Sequence, residues 1–316
     1  MATSRTKTIS RRRAFSLLLS LPIYLSACGG GGGSGSASPA PSPAPGPSPA
    51  PSPSPSGYGP RVTPGIEPGV TLQNASANWS TSANDQLVEG LTFHSPPTIR
   101  HARVRFKNCK WLTAVGQTYP GGNHWAFDPA ITDDPAMAGL IFEHNDFADA
   151  LPAFGSPDPA QPMIVRACIM RGTSDGYGDS AKAGSNVVIE DSSFVYAHSF
   201  LSFAHSDGLQ SDVGDVVHVI VRYSYFDIRG TGSNAALLQN EVSAHHGDWL
   251  IEHNRIQVNS AYAIRARNLT GDGRVVIRNN AIDRTWIYGP LDVTTHPELI
   301  DWIDNVDEHG QPITQW

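Results

Sequence analysis

Cysteine is nearly absent from this chain, with three residues in 316, too few for the disulfide framework that staples small secreted domains. Long helical periodicity is missing as well, which turns the folded part toward strands. The apolar run from Phe15 to Leu25 is too short to span a bilayer, where about 20 residues are needed, and fits the core of a signal peptide. Positive charge is scarce, with 22 Lys and Arg against 29 Asp and Glu. Five of the basic residues (Arg5, Lys7, Arg11, Arg12, Arg13) precede residue 28; without them 17 stand against 29, a net charge of −12. Such a balance argues against a nucleic-acid partner held by bulk charge, and an anionic substrate needs a local basic patch.

The apolar run ends at Leu25-Ser26-Ala27-Cys28, which resembles the lipobox of bacterial lipoproteins. The resemblance implies a signal peptide over residues 1–27, acylation of Cys28, and an exported protein anchored by lipid to the cell envelope, at the outer membrane. Arg12-Arg13-Ala14-Phe15 resembles part of a twin-arginine signal, and both the Sec and the twin-arginine routes stay open. Residues 28–59 follow as a linker of glycine, then Ser-Pro and Ala-Pro repeats, without charge. Such a segment cannot bury enough surface to offset chain entropy, and its prolines favour an extended spacer.

From residue 60 to 316 the chain is long enough for one large domain, and one phrase recurs through it. Val104-Arg105-Phe106-Lys107 returns as Leu140–Glu143, Met163–Arg166, Val187–Glu190, Val219–Arg222, Trp249–Glu252 and Val275–Arg278. The steps between copies are 36, 23, 24, 32, 30 and 26 residues. A constant short strand with variable loops is the mark of a stacked solenoid. Gly90-Leu91-Thr92-Phe93 reads as an earlier, degenerate copy.

The fourth position of the phrase alternates in sign through all seven copies: Lys107, Glu143, Arg166, Glu190, Arg222, Glu252, Arg278. Strands in parallel register bring these side chains over one another about 4.8 Å apart, each beside an opposite charge. They are a structural ladder, with each exposed pair contributing about 0.2–1 kcal/mol. Two residues further on stand Cys109, Asn145, Cys168, Ser192, Ser224, Asn254 and Asn280, small polar groups able to satisfy turn amides. The two cysteines fall two coils apart, beyond disulfide reach, and read as buried free thiols. The second position is apolar from Ile141 onward (Ile164, Val188, Ile220, Leu250, Val276). Alternation turns that row outward, where it needs a cover: the C-terminal tail (Leu299, Trp302, Ile303, Trp316), the 112–137 insertion, or a bound sugar or partner.

The most polar stretch lies between Arg171 and Arg267. Ser174-Asp175-Gly176 and Ser206-Asp207-Gly208 are 32 residues apart, the same offset as their flanking phrases at Ile189 and Val221. The motifs are therefore expected one above the other. Leu238–Glu241 and Ile264–Arg267 join the same face, which gathers Asp175, Asp179, Lys182, His205, Asp207, Gln210, Asp212, Gln239, Glu241, Arg265 and Arg267. Each has a structural alternative: Asp before Gly forms turns, and Arg265 and Arg267 could pair with Glu241. His245-His246 lacks a third ligand at a zinc-site spacing.

These features together resemble exported proteins of the pectate-lyase-like superfamily, in the strands around Asp175–Glu241 and, architecturally, across the domain. The small polar column resembles the asparagine ladder of right-handed β-helices. The fold class expected is all-β, a single-stranded right-handed parallel β-helix of seven or eight coils, acting as a monomer. The resemblance implies a polysaccharide partner and β-elimination at an acidic sugar. Lys182, His205, Asp207, Arg265 and Arg267 are then the catalytic candidates, and Gln210, Gln239 and Glu241 the substrate-binding ones. Calcium is the one candidate cofactor, through Asp175, Asp207 and Asp212. The Arg-x-Pro-x-x-Arg pattern of pectate lyases is absent, as are the Gly-His-Gly and Arg-Ile-Lys patterns of polygalacturonase-like hydrolases. A non-catalytic glycan- or partner-binding protein and a glycoside hydrolase remain as alternatives.

Overall fold

The computed structural model describes residues 57–112, 135–149, 152–171, 181–195, 207–211, 216–229, 235–239, 246–259, 261–267, 269 and 273–315. The signal segment, Cys28 and nearly all of the linker lie outside these residues. Among those described, every strand is short and lies in one of three parallel sheets, two of nine strands and one of six. Among the described residues the only helical pieces are single 3-10 turns at Pro135–Met137 and Pro297–Leu299, and no helix there is long and apolar enough to cross a membrane. Successive visits to the same three sheets make this a parallel β-helix.

The first sheet is built from the recurring phrase. Its strands are Leu87–Glu89, Arg105–Lys107, Ile141–Glu143, Met163–Arg166, Val187–Glu190, Val216–Arg222, His246–Glu252, Val275–Arg278 and Ile300–Ile303. The seven expected copies are thus extended by one strand at each end. The early copy belongs to Leu87–Glu89 and not to Gly90–Phe93. Gly90 has φ +69 and turns the chain, so that Leu91–Phe93 enters the second sheet. Register is as the phrase requires: Ile189 lies beside Val221 and Glu190 beside Arg222. First and third positions point inward and are at most 1% exposed from Val104 to Ile277. Each contributes about 1.5–3 kcal/mol by leaving water, and a slip of one residue would expose them all.

The charged fourth position forms the expected ladder. Glu190 accepts from Arg166 Nε at 2.6 Å and from Arg222 Nη2 at 2.8 Å. Burial alone would push its carboxyl up, but these two guanidinium bonds outweigh it and hold it below the usual range. Arg278 meets Glu252 at 2.8 Å. Glu89, paired with Lys107 in the new first strand, extends the alternation to eight charges.

Each coil then leaves the first sheet through a left-handed residue. Asn108, His144, Ala167, Asp191, Tyr223, His253, Asn279 and Asp304 all have φ between 50 and 55°. Side chains resist that conformation, Asn and Asp least. The next residue offsets the cost by closing the corner. Asn145 Oδ1 accepts the Cys109 N–H at 2.9 Å, and Ser192 Oγ the Cys168 N–H at 3.1 Å. The chain of acceptors continues through Ser224, Asn254 and Asn280 to Asn305, which takes the Asn280 N–H at 3.0 Å. Cys109 and Cys168 are buried free thiols in this column, and burial pushes them up to about 11 and about 12 respectively.

Residues 59–67 run across these corners in the opposite order to the coils. The Gly59 N–H donates to the His253 carbonyl. Arg61 lies over the Tyr223 ring at 3.9 Å and binds Asp191 through its backbone and guanidinium. Gly65 donates to Ala167 O and accepts from the His144 ring, and Glu67 reaches Asn108 and Lys107. This strap joins six coils by bonds that fall on six successive left-handed corners.

The second sheet follows each corner, from Gln73–Asn74 to Ala281–Ile282. Its inward row is Phe93, Trp111, Phe147, Met170, Phe194, Phe226, Ile256 and Ile282. These rings stack along the axis, with Phe93–Trp111 centroids at 4.6 Å and Phe194–Phe226 at 4.3 Å.

The outward apolar row of the first sheet is real, but its expected cover is not the tail. Ile300–Ile303 becomes the ninth strand, with Asp301 beside Val276, and Trp302 Nε1 donates to the Ile313 carbonyl at 2.8 Å. The tail caps the stack because its own apolar residues continue the inward register. Residues 113–134 of the insertion and Trp316 lie outside the described residues.

Candidate functional site

The third sheet carries the polar face expected from the sequence. Its strands are Ala153–Phe154, Ala181–Ala183, Leu209–Ser211, Leu237–Gln239, Tyr262–Ala266 and Gly289–Val293. Leu209, Leu237, Ile264 and Leu291 fill the interior. The neighbouring positions, Lys182, Gln210, Leu238, Arg265 and Asp292, therefore form one outward row. Three candidates, Lys182, Gln210 and Arg265, share that row. Lys182 and Arg265 are three rungs apart along it, roughly 14 Å between backbones. Gln239 pairs with Ser211 and Ala266, both buried, so its backbone position belongs to an inward row.

Two arginines converge on one carboxylate. Arg265 Nε and Arg267 Nε both donate to Asp292 Oδ2, at 3.1 and 2.7 Å. Arg265 is 9% exposed, while the Arg267 side chain keeps 26%. Asp292, on the following coil, is thus an ion-pair partner of both arginines, and the pairing considered with Glu241 lies outside the described residues.

Asp207 is fully buried, and its Oδ1 accepts the Ala235 N–H of the next coil at 2.9 Å. Here the carboxylate holds a corner, as its place before Gly208 allows. Gly208 is itself confined, since a Cβ there would stand 2.5 Å from the Ala236 carbonyl. The first Ser-Asp-Gly motif and Ser206 lie outside the described residues, and with them the expected stacking of the two motifs. Ala181 pairs with Leu209, an offset of 28, because the connections around the third sheet differ in length. Asp175, Asp179, His205, Asp212 and Glu241 lie outside the described residues. Of the expected calcium ligands only Asp207 is described. Among the described residues no group of three His, Cys, Asp or Glu side chains could hold a metal.

A second polar cluster, on the outer face of the second sheet, was not foreseen. Tyr225, Asp227 and Arg229 alternate on one strand and Arg255 and Gln257 on the next, with Asp283 beyond. Arg229 pairs with Asp227 at 2.6 Å, Arg255 with Asp283, and Gln257 donates to Asp283 at 2.6 Å. Burial pushes the Asp283 carboxyl up, and Arg255 and Gln257 only partly offset it. Strict polar–apolar alternation in Tyr225–Arg229 was the available signal. The cluster balances its own charge, and its network is mostly internal.

No protein-family model, no curated protein and no solved structure matches this chain.

Proposed function

We propose that the protein is a carbohydrate-active β-helix of the pectate-lyase-like kind, displayed at the cell surface, that cleaves an acidic polysaccharide by β-elimination. The observation that carries the reading is the shared outward row of Lys182, Gln210 and Arg265, with Arg267 two residues on. On an otherwise acidic protein, Lys182 and the Arg265–Arg267 pair, at two places along one row, suit a chain of uronate-type sugars. In the proposed step Arg267, assisted by Arg265, neutralises the sugar carboxylate and so acidifies the neighbouring C5 proton. Lys182, in its neutral form, takes that proton. The electron pair forms the C4–C5 double bond, the C4–O bond breaks, and the leaving oxygen takes a proton from water, while Lys182 returns its own to solvent.

The test is a panel of pectate, alginate and glycosaminoglycans, with and without calcium, incubated with the purified full-length protein. Ultraviolet absorbance from new unsaturated ends is expected on at least one of them. Lys182→Ala and Arg267→Ala should each lose roughly a hundredfold or more in rate, while Glu252→Ala, a change in the ladder, should keep nearly full rate. New reducing ends without the absorbance would indicate a hydrolase instead. Binding without cleavage would leave a display protein, a reading favoured by the burial of Arg265 and its commitment to Asp292.

Anchoring is proposed through an acylated Cys28, with residues 29–56 as spacer. Cys28→Ser is expected to release the protein from membranes and to remove the acyl mass from the mature chain. Unchanged membrane partition, with no acyl mass in the wild type, would reject it.

A further inference from the structure

The outer face of the first sheet holds a feature that the polysaccharide reading does not use. Leu87, Ile141, Ile164, Val188, Ile220, Leu250 and Val276 stand in one outward row, interrupted only by Arg105. Leu87 is 54% exposed and the other six aliphatics are half-buried. Near its C-terminal end the row floors a groove of about 440 Å³, rimmed by His218, Asp248 and Arg274 on one side and Arg278 on the other. A continuous apolar strip on a charged surface marks an association site.

We infer that this face pairs with a second copy of the chain, the two solenoid axes running antiparallel. Charge selects the occupant and its direction. The ladder beside the strip carries eight alternating charges, from Glu89 at one end to Arg278 at the other. An even alternating row read backwards is its own complement. A two-fold axis along the strand direction lays strip on strip and reverses the ladder. Glu89 then faces Arg278 of the second copy, and Glu143 faces Arg222 of the second copy. The other face-to-face arrangement, with parallel axes, lays each ladder residue against the opposite rim of its own rung. That sets Glu252 against Asp248 and Arg278 against Arg274, like charges in both cases. A slip of one rung in the antiparallel pair also sets like on like. Aligned sheet packing with apolar side chains interdigitating is a common way to bury such faces.

Sedimentation of the purified protein over a concentration series tests this. The expected result is a species of twice the chain mass that dissociates on dilution. Ile220→Glu should weaken that association roughly tenfold or more while leaving the circular-dichroism spectrum and melting temperature near wild type. A protein with Ile164→Cys and Val188→Cys together should oxidise to a covalent dimer, because the antiparallel axis passes between those two rungs. Cys109 and Cys168 are buried and do not compete. A single-chain mass at every concentration overturns the inference. So does a dimer indifferent to Ile220→Glu, or a monomer stabilised by a glycan through this strip. None of these outcomes depends on whether the third sheet cleaves polysaccharide.

Discussion

Replacing Asn280 by alanine is expected to lower the melting temperature by roughly 6–12 °C, as about 3 kcal/mol is lost from a domain of this size. Asn280 is fully buried. Its Oδ1 accepts the Asn254 N–H at 2.9 Å, and its Nδ2 donates to the Ile251 carbonyl at 3.0 Å and to Asn305 Oδ1 at 2.9 Å. Truncation strands a donor and an acceptor where no water replaces them, and each stranded group costs about 1–3 kcal/mol. Serine is the informative control, since Ser192 and Ser224 hold the same place in their own coils with one acceptor each. Asn280→Ser should recover about half of the loss. Thermal denaturation followed by circular dichroism reads both, and a drop under about 2 °C for the alanine variant would show that the column is not cooperative.

Phe142→Ala should cost more, about 3–5 kcal/mol. Phe142 stands where the rings of all three sheets meet. Its centroid is 5.3 Å from Phe106, 5.8 Å from Trp111, and 5.9 Å from both Phe147 and Phe154. All five side chains are at most 1% exposed. Removing the central ring leaves a void whose lining belongs to successive coils, each pinned by its own ladder bonds and unable to collapse inward. Denaturant unfolding should show the midpoint falling with little change in slope. Phe142→Leu, which fills much of the void, should cost less than half as much. Equal losses for the two variants would mean that shape at this position matters more than the void.

The first sheet was legible because its constraint repeats. Inward aliphatics, an alternating charge and a small polar residue recur at fixed spacing whatever the loops do, so seven coils could be read directly. The end coils escaped because Leu87–Glu89 is cut short by Gly90, and Ile300–Ile303 carries Ile303 in place of a charge. The strap escaped for a different reason. Its residues touch six coils through contacts that differ at each corner and repeat nothing. At the candidate site, the meeting of Lys182, Gln210 and Arg265 followed from counting between phrases. The 32-residue offset did not carry over to the third sheet, where Ala181 pairs with Leu209 at 28, because connections of different length precede and follow that sheet. Asp292, the partner of both arginines, was missed because it lies beyond the last phrase, where counting had no further strand to refer to.

The strap also decides how force enters the protein. A pull on the chain ahead of Gly59 reaches the bond to His253 first, then Arg61 on Asp191. Only afterwards does it reach Gly65 and Glu67. The joints are loaded in series, each released before the next takes tension, as tape lifts from one end. Work is spread over a long displacement at low force, and the coils beneath feel no shear until the last joint at Asn108 has opened.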